Sequence, residues 1–228
     1  MVVPIVSIVG KSGSGKTTLL EKVIAELTRR GYTVGVIKHD AHGFEIDHEG
    51  KDSWRHKNAG ARTVALSSPE KFAVIKEVSP EWPPERIIAS YLSDVDVVVT
   101  EGFKKSAFPK IEVVRKANST RPVCGNDKRL MAFAADFKVS NKFPVFKLED
   151  YKGVATLIEK EIITKHKAAG ISLIVDGQKI ELKPFIENLI KDGVTGMIKS
   201  LKGCSGAKEI ELRIRQAEPV VRVTSRKK

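Results

Sequence analysis

Cysteine is scarce: two in 228 residues. Cys124 and Cys204 stand far apart, so they offer no metal framework, and such sparing use suits a reducing compartment. Long hydrophobic runs are missing too. No stretch approaches the roughly 18 apolar residues of a membrane helix. The first apolar segment, Val2 to Val9, is short and has no basic leader, so no secretory signal is expected. Zinc-finger spacing, an aromatic-rich basic strand motif, internal repeats and low-complexity tracts are also absent. The expectation is a soluble cytoplasmic protein without a membrane partner. Nucleic-acid binding rests on charge alone.

Charge of one sign dominates what is present. There are 40 Lys and Arg against 28 Asp and Glu, a net charge of +12. That field favours nucleotides, nucleic acid or acidic proteins without choosing among them. The terminal "SRKK" reads as a solvated tail. The length suits one large domain, or one of about 160 residues with a smaller companion. A chain of this size can bury a core without disulfides.

The hydrophobic pattern predicts an α/β fold. Val2–Val9 reads as a buried strand. From Lys16 a helix follows, with Leu19, Leu20, Val23, Ile24 and Leu27 on one face and Gly31 placed to end it. "TVGVIKHD" is a second strand, so this stretch is a βαβ unit with parallel pairing. Residues 39–60 form a long polar segment in which "KDSWRHKNAG" can be helical. "RTVAL" and "KFAVI" around "SSPE" read as a hairpin. "PPERIIASYL" starts a helix, with proline tolerated in its first turn. "DVDVVVTEGF" is strongly strand-like, and "IEVVR", "MAFAA" and "FPVFKL" are shorter strands. "GVATLIEKEII" closes the domain as a helix. Beyond residue 167 the pattern changes. "ISLIVDGQKIEL" alternates around Asp176-Gly177, a hairpin signal. A helix from "KPFIENLIKDGVTGMIKSL" and a strand from "AKEIELRIRQ" complete a small ββαβ module. The reading is therefore a mostly parallel sheet flanked by helices over residues 1–167, and a small α+β module over 168–228.

Gly10 to Thr17, "GKSGSGKT", fits G-x-x-x-x-G-K-[ST] at every position. Backbone N–H groups must converge on phosphate oxygens there, and a Cβ would obstruct the turns, which accounts for Gly13 and Gly15. The loop opens a helix, so unpaired N–H groups and the positive dipole end face the anion. Lys16 brings a point charge to the β- and γ-phosphates. Thr17 offers a hydroxyl to Mg²⁺. Ser12 and Ser14 belong to the same cradle, with Lys11 and Thr18 as supporting contacts.

Such a loop wants a carboxylate at the carboxyl end of a nearby parallel strand. Asp96 falls about 16 Å short of Glu101 along an extended strand, so Glu101 is the candidate. It would hold a Mg²⁺-bound water or activate the attacking water. The bland alternative is a structural carboxylate paired with Lys104. In the long polar segment, Asp40 or Asp47 could reach the metal, and Lys51 or Arg55 could reach phosphate. His48 and His56 do not specify a zinc site by their spacing.

Three segments taken together, "GKSGSGKTT", "KHDAHGFEIDHEGKDSWRHKNAGA" and "DVVVTEGFKKSAFPKIEVVR", resemble the molybdopterin-guanine dinucleotide biosynthesis adapter proteins of the MobB type, over roughly residues 3–163. The middle segment is the distinctive one. The resemblance implies a P-loop NTPase fold, a homodimer and GTP as ligand. It also implies weak GTP hydrolysis and help in attaching GMP to molybdopterin. The transfer itself would belong to a MobA-type guanylyltransferase partner, and molybdopterin is a further candidate ligand. Gly13 to Thr18 would hold the triphosphate beside Glu101. Asp47, Lys51, Asp52, Ser53, Arg55 and His56 match the charged loop of the family. This sequence spaces His39 and His42 where the family commonly has a denser pair. It shows no N-K-x-D guanine reader either, since "SNKF" lacks the aspartate. Guanine over adenine thus rests on the resemblance. The alternative is a P-loop kinase acting on a small molecule, with Arg115, Arg121 and Arg129 available to a lid.

Overall fold

The structure, a computed structural model, describes residues 3–40, 43–166, 171, 173–175, 178–180, 182–206 and positions 210, 212 and 214. The described chain forms two compact units, residues 1–181 and 182–228.

In the first unit, β1 (Ile5–Val9), α1 (Lys16–Arg29) and β2 (Val34–Lys38) make the expected βαβ opening, its two strands parallel but separated in the sheet by a later strand. Next come α2 (Asp52–Asn58), the strands β3 (Thr63–Ser67) and β4 (Phe72–Lys76), α3 (Pro84–Tyr91) and β5 (Val97–Glu101). The strands β6 (Lys110–Val114), β7 (Leu130–Ala135) and β8 (Val145–Phe146) precede α4 (Tyr151–Ile158). Six strands form one parallel sheet in the order β2-β5-β1-β6-β7-β8, while β3 and β4 pair antiparallel on their own. Every residue of the inner strands β5 and β6 is buried. That burial on both faces is why they read as continuous rather than alternating runs.

One face of the sheet is covered by α1 and α4, which bury Leu19, Leu20, Val23 and Leu27 against Val154, Ala155 and Ile158. Glu26 shares this buried stripe, whereas Ile24, expected in it, is only partly buried. Gly31 ends α1 as expected: its N–H donates to Thr28 O, and the Tyr32 N–H reaches back to Leu27 O at 3.1 Å. This is the paired bonding of a Schellman motif. Asp150 caps α4 by accepting from the Gly153 N–H at 2.9 Å. After α4 the helix widens into a π turn, Glu159–Ile163, before the short α5 (Thr164–His166). The extra residue of the wider turn keeps both Ile162 and Ile163 in the core.

A second hairpin follows, β9 (Leu173–Val175) with β10 (Gln178–Ile180), in the register expected around residues 176–177. By compactness it groups with the first unit. The second unit contains α6 (Pro184–Lys199), none of whose residues is buried. Its apolar positions Phe185, Leu189 and Met197 are exposed. The strand expected over 207–216 lies largely outside the described residues.

Candidate functional site: a phosphate loop at the carboxyl edge of the sheet

Register creates the site. Strands β1 and β5 run parallel with Ile8 beside Glu101, so both end at one level. The chain leaving β1 becomes the glycine loop, and the one leaving β5 carries Glu101 to its base. A buried hydroxyl pair, Ser7 and Thr100 at 2.7 Å, locks the two strands just beneath.

The loop is tightly drawn. Gly10 has φ +145°, and a Cβ there would lie 2.4 Å from the Val113 carbonyl oxygen. No other residue fits that approach to β6. Gly15, at φ +93°, is the residue before α1, and no side chain caps the helix start. Open N–H groups at a helix start, with the dipole behind them, suit an anion. Ser14 is 2% exposed, yet its Oγ has no hydrogen-bond partner among the described residues. An orphaned buried hydroxyl inside a phosphate loop fits a loop shaped for a ligand.

Glu101 and Thr17 come together as expected. The Thr17 hydroxyl lies 3.0 and 3.1 Å from the two carboxylate oxygens. Glu101 is 9% exposed, and no ion pair with Lys104 or any other cation reaches it among the described residues. A hydroxyl and an uncompensated carboxylate side by side are a hard-oxygen donor set of the kind Mg²⁺ takes. Lys16 points back onto its own loop, its Nζ donating to the Lys11 carbonyl at 2.9 Å. Lys16 thus waits within the loop on a neutral acceptor. Asp96, at the other end of β5, accepts from the Thr33 N–H and hydroxyl at 2.8 and 2.7 Å, a structural role.

Sequence reasoning missed a strap across the loop. After β6 the chain turns at Arg115, whose carbonyl accepts from the Asn118 and Ser119 N–H groups. The Asn118 amide then donates to Ser12 O at 2.7 Å, and Lys11 Nζ donates to Ser119 Oγ at 2.6 Å. Arg115 lies over the helix start: a Cβ built on Gly15 would sit 3.1 Å from its guanidinium. The signal available in the sequence was an arginine directly after a strand neighbouring the loop strand. The return of this segment is anchored by Glu112, 1% exposed, which accepts from the Val123 and Cys124 N–H groups at 2.5 and 2.8 Å. Burial, then the Glu112 charge, pushes the Cys124 thiol up. Lys110, wholly buried, donates to the Ser106 and Phe108 carbonyls and pairs with Asp127 at 3.0 Å.

The polar segment after β2 is placed more simply. Asp47 accepts from Ser53 Oγ at 2.9 Å and from the His48 N–H. Lys51 precedes α2, and Asp52 opens it. Among the described residues no hydrogen bond or ion pair ties Asp47, Lys51 or Asp52 to the phosphate loop. His39 does reach the site, its N–H donating to the Glu101 carbonyl and its ring lying 4.7 Å from that of Phe103. His42 lies outside the described residues.

Comparison with known proteins decides the lineage. The family model described as "Molybdopterin guanine dinucleotide synthesis protein B" matches residues 5–136. This span runs from β1 to the end of β7 and holds the whole site. The chain belongs to that family. A curated relative in this family, the molybdopterin-guanine dinucleotide biosynthesis adapter protein of Haemophilus influenzae, is 36% identical over 73% of this chain and 93% of its own. A putative adapter protein of Methanocaldococcus jannaschii is 27% identical over 92% of this chain and 97% of its own. An alignment of that reach leaves out too few residues to exclude the second unit. Among solved structures, a crystal structure of molybdopterin-guanine biosynthesis protein B matches with TM-score 0.55 at 34% identity, covering 69% of this chain and 97% of that one. Bacillus subtilis MobB matches with TM-score 0.58 at 28% identity, covering 70% and 98%. These family members carry the same mostly parallel α/β sheet. Nothing in the comparisons supports the small-molecule kinase. Among the described residues no helix is long and apolar enough to cross a membrane.

Proposed function

We propose that this family member binds GTP with Mg²⁺ in the phosphate loop and acts as the adapter for guanylation of molybdopterin, hydrolysing GTP weakly. The observation that carries the reading is the Thr17 hydroxyl set against both oxygens of a buried, cation-free Glu101 at the mouth of the loop. Gly10, Ser12, Gly13, Ser14 and Gly15 would form the cradle, with Lys16 and Thr18 at the phosphates. Thr17 and Glu101 would hold the metal, Glu101 through a bound water. When bound, Mg²⁺ would neutralise charge on the β- and γ-phosphates. Lys16 would turn from the Lys11 carbonyl to the anion, a stronger acceptor. Glu101 would orient the attacking water and take its proton. Asp47, Lys51 and Asp52 would add contacts from the polar segment. The partner would be a MobA-type guanylyltransferase, with molybdopterin as a further ligand. A homodimer in the cytoplasm and a separate role for residues 168–228 complete the reading.

Calorimetry with GTP, ATP and CTP plus Mg²⁺, on the wild type and Lys16→Ala, tests it. The expected result is a preference for GTP that Lys16→Ala abolishes. A guanylyltransferase pull-down tests the adapter role. Failure of the wild type to bind any triphosphate would end the reading.

A further inference from the structure

The fingerprint motif that reads guanine in many GTP-binding loops is absent from this sequence, yet a carboxylate stands where a base would lie. We propose that Asp136, directly after β7, reads the guanine of the bound nucleotide through its N1–H and N2–H groups. This rests on the GTP reading above and assigns its base specificity.

The argument starts from the order of the strands. Across the sheet, β1, β6 and β7 are neighbours, at about 4.8 Å per step. Their carboxyl ends carry in turn the phosphate loop, Arg115 and Asp136. A nucleotide whose phosphates sit at the loop and whose base extends along this edge meets Asp136 about 10 Å away. Strands β6 and β7 pair with Val114 beside Ala135, so Arg115 and Asp136 occupy adjacent positions. No ion pair joins them among the described residues. Arg115 turns instead towards Gly15, over the loop. The cation is thereby set on the phosphate side, and the carboxylate is left for another partner.

Asp136 is half committed. Its Oδ1 accepts from the Lys116 N–H at 2.8 Å, which holds the carboxylate in place. Its Oδ2 has no protein hydrogen bond among the described residues, and the residue is exposed. A carboxylate accepts and does not donate. Guanine presents two adjacent donors on one edge and suits it. Adenine sets a ring-nitrogen lone pair beside its amino group, and the carboxylate repels it. A site built to pair substrate N–H groups discriminates strongly against an analogue lacking them.

The test is Asp136→Asn in the full chain, titrated with the magnesium salts of GTP, ATP and xanthosine triphosphate. The amide keeps an oxygen for the Lys116 N–H and can turn a donor to the carbonyl that xanthine carries at C2. The expected result is a loss of GTP affinity of at least roughly tenfold with a comparable gain for xanthosine triphosphate. An unchanged order of preference overturns the assignment while GTP binding by the wild type stands. An equal fall for all three nucleotides also overturns it, since that marks a structural role. A wild type that binds GTP and ATP alike sinks this assignment together with the GTP reading.

Discussion

The two ends of α1 treat charge in opposite ways. At its carboxyl end, Glu26 is bound by the guanidinium groups of Arg29 and Arg30 at 2.8 Å. Arg30 goes on to Glu159 at 2.7 Å, to Thr156 and to the Lys152 carbonyl, while the Tyr32 hydroxyl also donates to Glu159. Cations and carboxylates there satisfy one another, and the network ties α1 to the start of the π turn. At the amino end, Lys16, Arg115 and Lys11 gather on neutral acceptors or open backbone, and among the described residues the Glu101 side chain meets a hydroxyl and no cation. Burying a carboxylate without a cation is costly. One end of the helix closes its charges for stability. The other leaves them open, which fits the triphosphate and metal proposed above.

The strongest way to break this comparison is Lys16→Ala. Loss of a charge-assisted contact to phosphate should weaken GTP binding roughly a hundredfold, read by calorimetry. The melting temperature should hardly move, because among the described residues the Lys16 side chain makes a single hydrogen bond, to its own loop. A collapse of the fold would mean that the amino end is structural as well. Glu101→Gln comes next. GTP turnover should fall at least roughly tenfold, while thermal stability holds or rises, since functional sites commonly sacrifice stability. Wild-type turnover in this variant would remove Glu101 from the chemistry.

Arg30→Ala addresses the opposite end. It should lower the melting temperature by a few degrees while leaving GTP affinity intact, because its partners all lie away from the loop. The smallest effect is one of pH. The Arg29 and Arg30 hydrogen bonds hold Glu26 down to about 2, against an ordinary 4.5. A lowered pKa stabilises the fold at pH values above the unfolded pKa, and that contribution is lost as pH falls from about 4.5 through 2. Urea unfolding of the wild type and Glu26→Gln over this range should show their stability difference shrinking with acid. A constant difference would deny the network its charge.

What could be read from the sequence followed how local each signal was. Gly10 to Thr17 is contiguous, and its strand and helix flank it, so the loop and its neighbours were plain. Glu101 was reachable because a single strand fixes which of Asp96 and Glu101 lies at the carboxyl end. The strap was not, since Arg115, Asn118 and Ser119 act only once residues 115–129 fold back, and Glu112, their anchor, reads as an ordinary strand residue. Glu26 was hidden in an apolar stripe, although Arg29 and Arg30 stand three and four residues on, the spacing that lets such pairs meet. Beyond residue 167 the alternation foretold the β9–β10 hairpin. The apolar residues of α6 fall at helical spacing as a packed helix would have them, yet no described residue of that helix is buried. A face expected to pack is legible as a pattern, but its cover is not.

Lys110 has a practical consequence. Its ammonium is enclosed by two carbonyls and Asp127, with no accessible surface. Amine-directed acylation of the native protein should therefore modify the many surface lysines and pass over this one. Reagent uptake at Lys110, followed by mass spectrometry, becomes a clock for how often the turns carrying Ser106, Phe108 and Asp127 lift away.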